Sequence, residues 1–180
     1  MRKVTVKTFV AIGIGSALFF VLGRFASVPV FANTSVNLQY AFLGFMAVVY
    51  GPLAGALIGL IGHSLIDFTS WGPWWSWIVT SAAVGGVIGF VGRKINVEGG
   101  EFTKKSAVLF NIANVVGNGI GWFLIAPTLD ILIYQEPANK VYTQGLIAGT
   151  ANIVTTAVIG TLLLYAYSRT RTKKGSLDKE

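Results

Sequence analysis

Apolar residues occur in six runs along this chain, separated by polar or glycine- and proline-containing segments. The runs cover residues 5–26, 40–50, 53–68, 76–91, 106–127 and 143–167. A helix that crosses a bilayer needs roughly 20 mostly apolar residues; the first, fifth and sixth runs exceed that length, the third and fourth are slightly shorter, and the second is short. The pattern predicts six transmembrane helices, with residues 24–39 and 128–142 as irregular outer loops and residues 91–105 as a polar inner loop.

Composition supports a membrane protein. Of 180 residues, 53% are hydrophobic and 12% are charged, and the mean hydropathy is +0.67. Soluble domains carry about 25% charged residues, so a soluble fold would leave too much apolar surface exposed. We expect an all-α integral membrane protein, a compact bundle of six transmembrane helices that forms one domain over residues 1–180. The chain contains no cysteine, which excludes disulfides and zinc–thiolate sites.

The basic residues predict the orientation. Twelve of the fourteen Lys and Arg residues flank the ends of apolar runs on what would be one side of the membrane, and only Arg24 and Lys140 lie elsewhere. Cytoplasmic segments of membrane proteins are enriched in Lys and Arg. Both termini are therefore expected in the cytoplasm, with a basic cytoplasmic tail from about residue 168. Because the net charge of +7 is dispersed over helix ends, it does not indicate a nucleic-acid partner.

Small residues recur four apart on the first predicted helix. Ala11 pairs with Gly15, and Gly13 pairs with Ala17. Such pairs form a flat groove that lets another helix approach closely within lipid. The groove can pack inside this bundle or can dock a separate subunit, and the spacing alone favours internal packing.

The segment between residues 62 and 77 contains His63, the single histidine, and four of the five tryptophans, which are Trp71, Trp74, Trp75 and Trp77. Indole rings prefer the membrane boundary, so these rings either anchor the protein or form a stacking platform for a ligand. His63 and Asp67 are four apart and share a helical face. They either pair with each other or contact a polar ligand; they are too few for a metal site.

The fifth predicted helix carries a polar stripe. Asn111, Asn114, Asn118 and Trp122 fall within about 80° of one another on a helix. Buried amides in a membrane are costly without partners, so this stripe faces either neighbouring helices or a wet cavity. We expect Asn118 and Trp122 to line a ligand cavity with Asn152 of the sixth helix, and Asn111 to be structural.

Several motifs are absent from the sequence. There is no phosphate-binding loop of the type that ATPases use and no Ser/His/Asp or Cys/His nucleophile set. We therefore expect no enzyme activity and no catalytic residues. Uphill transport by this chain would need energy from a partner.

Several short runs resemble one family. They are Ala11-Ile12-Gly13-Ile14-Gly15-Ser16-Ala17, Leu38-Gln39-Tyr40, Tyr50-Gly51-Pro52, Gly62-His63 and Pro73-Trp74-Trp75. Together with the six short spans and aromatic outer loops, they are similar to S components, the substrate-binding membrane subunits of energy-coupling factor (ECF) vitamin transporters. The group that they resemble is labelled riboflavin-type, and some of its members are associated with cobalamin.

The resemblance implies a subunit in the bacterial plasma membrane that binds a vitamin from outside and has no cofactor of its own. It implies docking, through Ala11, Gly13, Gly15 and Ala17, on a transmembrane coupling subunit that carries two ATPase subunits. We expect cobalamin first and riboflavin second. The alternatives are a structural scaffold without ligand and a small intramembrane enzyme using His63 and Asp67. The candidate ligand contacts are His63, Asp67, Trp71, Trp74, Trp77, Asn118, Trp122, Asn152, Asn33, Tyr40 and Tyr134.

Overall fold

The computed structural model describes residues 4–31 and 34–171, which form helices and one β-hairpin. The helices are α1 (Val6–Phe25), α2 (Gln39–Tyr50), α3 (Pro52–Phe68), α4 (Trp75–Gly92), α5 (Lys104–Ile120), α6 (Ala126–Tyr134), α7 (Ala138–Thr155) and α8 (Thr161–Arg169). Strands β1 (Ser27–Phe31) and β2 (Thr34–Asn37) form the hairpin, Val97–Gly99 is a 3₁₀ turn, and two π-helical segments cover Gly121–Ile125 and Thr156–Gly160. The predicted helical class is confirmed.

Four helical stretches are long and apolar enough to cross a membrane. They are Val6–Phe25, Trp75–Gly92, Lys104–Tyr134 and Ala138–Arg169, the last two being continuous through their π segments. Helices α2 and α3 are shorter, with 12 and 17 residues. Nine of the twelve residues of α2 are buried, so other helices rather than lipid surround it. The protein is a multi-pass membrane protein, and the count of six spans and the side of the termini stay predictions.

The second predicted outer loop is mostly helical. The prediction ended the fifth helix at Pro127, a residue type that lacks a backbone N–H and usually interrupts a helix. Instead, the π segment Gly121–Ile125 precedes it, Pro127 lies in the first turn of α6, and the helix continues to Tyr134. Wider π turns absorb such irregularities without ending a helix. The connection to α7 shortens to residues 135–137, where Gln135 adopts a left-handed backbone conformation, with φ of 55°.

The first predicted outer loop is not irregular. Residues Ser27–Phe31 pair in antiparallel fashion with Thr34–Asn37, with Ser27 opposite Asn37 and Val28 opposite Val36. At a membrane boundary, backbone N–H and C=O groups need partners, and a hairpin supplies them within the segment. β-Branched residues such as Val28 and Val36 favour the extended backbone. The hairpin connects α1 to α2.

Helices α3 and α4 are in close contact along small residues. A Cβ atom added to Gly55 would lie 2.5 Å from the Gly85 carbonyl oxygen, so the two backbones touch at this point. Gly59 packs in the same way against the backbone of Ser81. Close approach through small residues is the usual way in which helices associate in lipid. One turn further along α3, this contact brings His63 next to Ser81.

The two ends of the bundle differ. The cavity end is defined here by the hairpin, the C-terminal ends of α1, α3 and α6 and the N-terminal ends of α2, α4 and α7. The opposite end holds the 3₁₀ turn and, among the described residues, seven Lys and Arg side chains: Lys7, Arg93, Lys94, Lys104, Lys105, Arg169 and Arg171. The cavity end holds Arg24 and Lys140.

Candidate ligand-binding cavity

A cavity of about 570 Å³ opens at the cavity end. Ligand sites for small molecules occupy about 300–1,000 Å³, so this volume suits a molecule of vitamin size. The structure places eight of the eleven candidate contacts in its lining, which are Tyr40, His63, Asp67, Trp71, Trp74, Trp77, Trp122 and Asn152. Residues from four apolar runs and the tryptophan segment therefore converge on one space.

Three candidates lie elsewhere. Asn118 is fully buried, and its Nδ2 donates to Asn114 Oδ1 at 2.8 Å rather than lining the cavity. Tyr134 stacks behind Trp74, with ring centroids 4.0 Å apart, and so supports the wall without reaching the lining. Asn33 lies outside the described residues.

The asparagine stripe faces neighbouring helices over most of its length. Asn111 Nδ2 donates to Thr161 Oγ1 at 3.0 Å, and Asn114 Nδ2 donates to the Ile153 carbonyl at 2.9 Å. These bonds join α5 to the continuous α7–α8 helix. Of this stripe, only Trp122 lines the cavity. The expectation that Asn118 lines it was wrong, because Asn118 lies one helical turn before the part of the helix that reaches the cavity.

Asp130 organises the aromatic wall. Its Oδ1 accepts a hydrogen bond from Trp74 Nε1 at 2.6 Å, and its Oδ2 accepts one from Trp77 Nε1 at 2.9 Å. The Ser76 hydroxyl also donates to Oδ1. The start of α4 presents these three donors together, and α6 supplies the acceptor. Two indole rings that line the cavity are thus held by one carboxylate.

Sequence reasoning placed Asp130 in a loop and did not select it. A signal was present, because Asp130 is flanked by Leu129 and Ile131 in an apolar segment. An acid within a membrane helix is expensive and usually has a functional or structural partner. Ending the helix at Pro127 concealed that signal. The lining residues Gln39 and Gln144 were likewise not selected.

The innermost polar cluster connects α2, α3 and α4. Tyr40 Oη lies 2.7 Å from Ser81 Oγ, which is 2.5 Å from His63 Nδ1. His63 Nε2 faces Asp67 Oδ1 at 3.6 Å. Asp67 Oδ2 accepts the backbone N–H of Trp74 at 2.9 Å, which ties the tryptophan segment to the end of α3. His63 is therefore oriented on both sides of its ring.

Some tryptophans belong to the cavity wall, and others lie at the surface as membrane anchors would. Trp122 is buried, and it meets Trp77 edge to face with centroids 5.0 Å apart. Tyr40 meets the same Trp122 ring at 5.5 Å. Trp71 and Trp75 are 76% and 50% exposed, as expected for rings at a membrane boundary. The inner rings form the cavity wall, Trp71 borders the cavity from the surface, and Trp75 does not line it.

The small residues of α1 differ in burial. Ala11 and Gly15 are buried, and a Cβ atom on Gly15 would lie 2.6 Å from the Ile58 side chain. Gly13 and Ala17 are exposed, with no heavy atom within 4 Å of the Gly13 position. Gly15 packs inside the bundle against Ile58, so it is not presented to a partner, whereas Ala11 lines an apolar groove between α1 and α2 and its docking role stays a prediction. Gly13 and Ala17 remain available for a partner.

Metal binding is not indicated by the side chains in the described ranges. Within residues 4–31 and 34–171, no three His, Cys, Asp or Glu side chains come together in a group that could hold an ion. The lining consists of aromatic rings, amides, carboxylates and two basic side chains, among other residues.

These features define a class: a multi-pass helical membrane protein with a polar, aromatic cavity at one end. Comparison with known sequences identifies the family. Residues 3–169 match the family described as "ECF-type riboflavin transporter, S component", and the chain belongs to that family. This confirms the resemblance. Membership makes the protein a vitamin-binding, substrate-specific transporter subunit rather than an enzyme, and implies association with an energy-coupling module.

Two relatives are similar over nearly their whole length. A UPF0397 protein of Enterococcus faecalis is 57% identical over 181 residues, covering 99% of each chain. A UPF0397 protein of Staphylococcus aureus strain Newman is 52% identical, covering 99% of this chain and 98% of the relative. Neither name states a ligand.

Proposed function

We propose that this protein captures a B vitamin from outside the bacterial plasma membrane and delivers it to an energising module made of a transmembrane coupling subunit and two ATPase subunits. Cobalamin is the first candidate ligand. The observation that carries the proposal is the cavity itself, whose lining combines the Trp77 and Trp122 rings with polar side chains such as Asp67 and Asn152. A structural scaffold without ligand would have no use for such a space.

The charge distribution supports the direction of capture. Seven described Lys and Arg residues lie at the opposite end, whereas Arg24 and Lys140 lie at the cavity end. Because cytoplasmic segments of membrane proteins are enriched in basic residues, the cavity is expected to open outward. A ligand would then enter between the hairpin and the connection from α6 to α7.

The preference for cobalamin rests on the amides and on the open mouth. Asn37, Gln39, Gln144 and Asn152 line the cavity, and the corrin ring carries many peripheral amides that can pair with them. Cobalamin would exceed a volume of about 570 Å³, so only part of it would enter and the rest would occupy the mouth.

Riboflavin is the second candidate. The family description names it, and a three-ring flavin is much smaller than cobalamin, so more of it would enter a cavity of about 570 Å³. Its ring system would lie against the faces of the inner tryptophans, where aromatic pairs contribute about 0.5–1.5 kcal/mol beyond area burial.

Docking is proposed to use the exposed small residues of α1. Gly13 and Ala17 are exposed, and an apolar groove lined by Val10, Ile14 and Phe45 runs beside them between α1 and α2. Small residues next to such a groove permit close approach of a partner helix. The chain itself has no nucleotide-binding loop, so the energy would come from the docked module.

A vitamin panel tests the proposal. The purified chain is heated with each B vitamin and the midpoint of unfolding is recorded. A ligand present at 100 times its Kd stabilises the folded state by about 2.7 kcal/mol. We expect a clear shift for cobalamin or riboflavin, followed by saturable binding of the radiolabelled vitamin without ATP. No shift with any vitamin would favour the scaffold.

A further inference from the structure

We infer that the inner part of this cavity accepts a neutral or cationic, hydrogen-bond-donating portion of its ligand and excludes anionic groups. The inference rests on the proposed function, because it specifies the chemistry of the captured vitamin. It predicts that the protein distinguishes a vitamin from its phosphorylated or carboxylated derivative.

The charges of the lining are arranged by depth. Asp67 and Asp130 are each 2% exposed, whereas the basic residues of the lining, Arg24 and Lys140, are both exposed. Lys140 is moreover paired with Glu136 at 2.7 Å. Among the described lining residues, two acids are therefore buried, whereas the two basic groups and the third acid, Glu136, lie at the mouth, where Glu136 neutralises Lys140. An anion inside would meet carboxylates in a medium of low dielectric constant, where repulsion is strong.

Asp130 offers an incoming anion neither an opposite charge nor a hydrogen-bond donor. Each of its oxygens accepts a hydrogen bond from an indole N–H, of Trp74 or of Trp77. An indole only donates, so both oxygens act as acceptors. The Trp74 and Trp77 indoles and the Ser76 hydroxyl donate to Asp130 and are therefore not available to a second negative group beside it.

The unpaired polar atoms of the lining are mostly acceptors. Asn37 Oδ1, Gln39 Oε1, Ser70 Oγ and Trp122 Nε1 are buried without a hydrogen-bond partner, and all four residues line the cavity. Asp67 Oδ1 has His63 Nε2 only at 3.6 Å, beyond normal hydrogen-bond length. Trp122 supplies a donor and Ser70 can act either way, while the other three atoms accept. The first four atoms are enclosed by protein, so Asp67 Oδ1 is the acceptor of this set that a ligand can meet, and a group beside it would bring an N–H or O–H.

Two derivative pairs provide the test. Flavin mononucleotide carries a phosphate where riboflavin has a hydroxyl, and monocarboxylic derivatives of cobalamin carry a carboxylate where the vitamin has an amide. Equilibrium binding to the purified full chain is measured for both members of each pair. For the pair whose parent binds, we expect the anionic member to bind at least roughly tenfold more weakly.

Asp67→Asn provides the second measurement. It removes a buried charge while retaining an oxygen that can accept the Trp74 N–H. We expect the affinity ratio within the pair to fall by at least half. Glu101→Gln is the matched control, since it removes the same charge from an exposed residue at the opposite end, and it should leave the ratio unchanged.

The outcomes separate the two proposals. If no parent vitamin binds, the proposed function fails and this inference fails with it. If a parent binds and its anionic derivative binds equally well, only this inference is overturned, and the unaltered protein is sufficient to show it. An unchanged ratio in a folded Asp67→Asn variant would overturn the role given to the buried carboxylate.

Discussion

The Asp130 carboxylate on α6 accepts the indole N–H of Trp77 on α4 at 2.9 Å. This bond crosses between two helices whose residues are more than fifty positions apart in the chain, and it fixes a ring of the cavity wall. The same carboxylate holds Trp74 through its other oxygen. The position of the aromatic wall thus depends on one acid that does not belong to the tryptophan segment.

We predict that Asp130→Asn weakens vitamin binding by about tenfold to a hundredfold. The NH₂ group of the asparagine would then face an indole N–H, so one hydrogen bond is lost. A hydrogen bond to a charged acceptor contributes about 1.5–3 kcal/mol. Radioligand binding measures the effect. Tryptophan fluorescence should change as well, since one of the two indoles loses its acceptor. Wild-type affinity in this variant would show that the wall does not need the carboxylate.

Two asparagines are predicted to differ in role. Asn152 lines the cavity, whereas Asn118 is bonded to Asn114 away from it. Asn152→Ala is expected to weaken vitamin binding at least roughly fivefold, as for loss of about 1 kcal/mol of hydrogen bonding. Asn118→Ala is expected to lower the unfolding temperature with little change in affinity. If a folded Asn118→Ala variant bound the vitamin more weakly and Asn152→Ala bound it with unchanged affinity, the two roles would be reversed.

Substitutions at Gly13 and Gly15 separate docking from internal packing. Leucine at Gly15 would collide with Ile58, and overpacking of this kind costs about 1–3 kcal/mol of stability. Leucine at Gly13 meets open space, so stability and vitamin binding should be unchanged while co-purification with the energising module and uptake are lost. Normal uptake by Gly13→Leu would exclude this face as the docking site.

Two adjacent glycines of α4 provide an internal comparison of packing. A methyl group on Gly85 would overlap the Gly55 backbone, whereas one on Gly86 would have Ala56 Cβ as its nearest neighbour at 3.8 Å. Gly85→Ala should destabilise the protein by about 1–3 kcal/mol. Gly86→Ala should be neutral or stabilising by up to about 1 kcal/mol, because alanine favours a helix. Thermal unfolding of the two variants in the same detergent measures the difference, and equal midpoints would contradict the close contact.

The hydrophobic pattern was sufficient for the helical class and for most helix positions. Run 5–26 became Val6–Phe25, and run 76–91 became Trp75–Gly92, because a stretch of apolar residues in a membrane must satisfy its backbone internally as a helix. The pattern failed at Pro127, where the predicted helix ended, because the π segment Gly121–Ile125 and the position of Pro127 in the first turn of α6 let the helix continue to Tyr134.

For the site, the sequence by itself determined which kinds of residue were available, since rare His, Asp, Asn and Trp side chains in an apolar chain stand out individually. Which of them meet was decided by the tertiary structure. Asn118 and Trp122 are one turn apart on one stripe, yet only Trp122 reaches the cavity. Asp130 joins Trp74 and Trp77 because α4 and α6 pack side by side, and helical periodicity within one segment cannot encode contacts between distant segments.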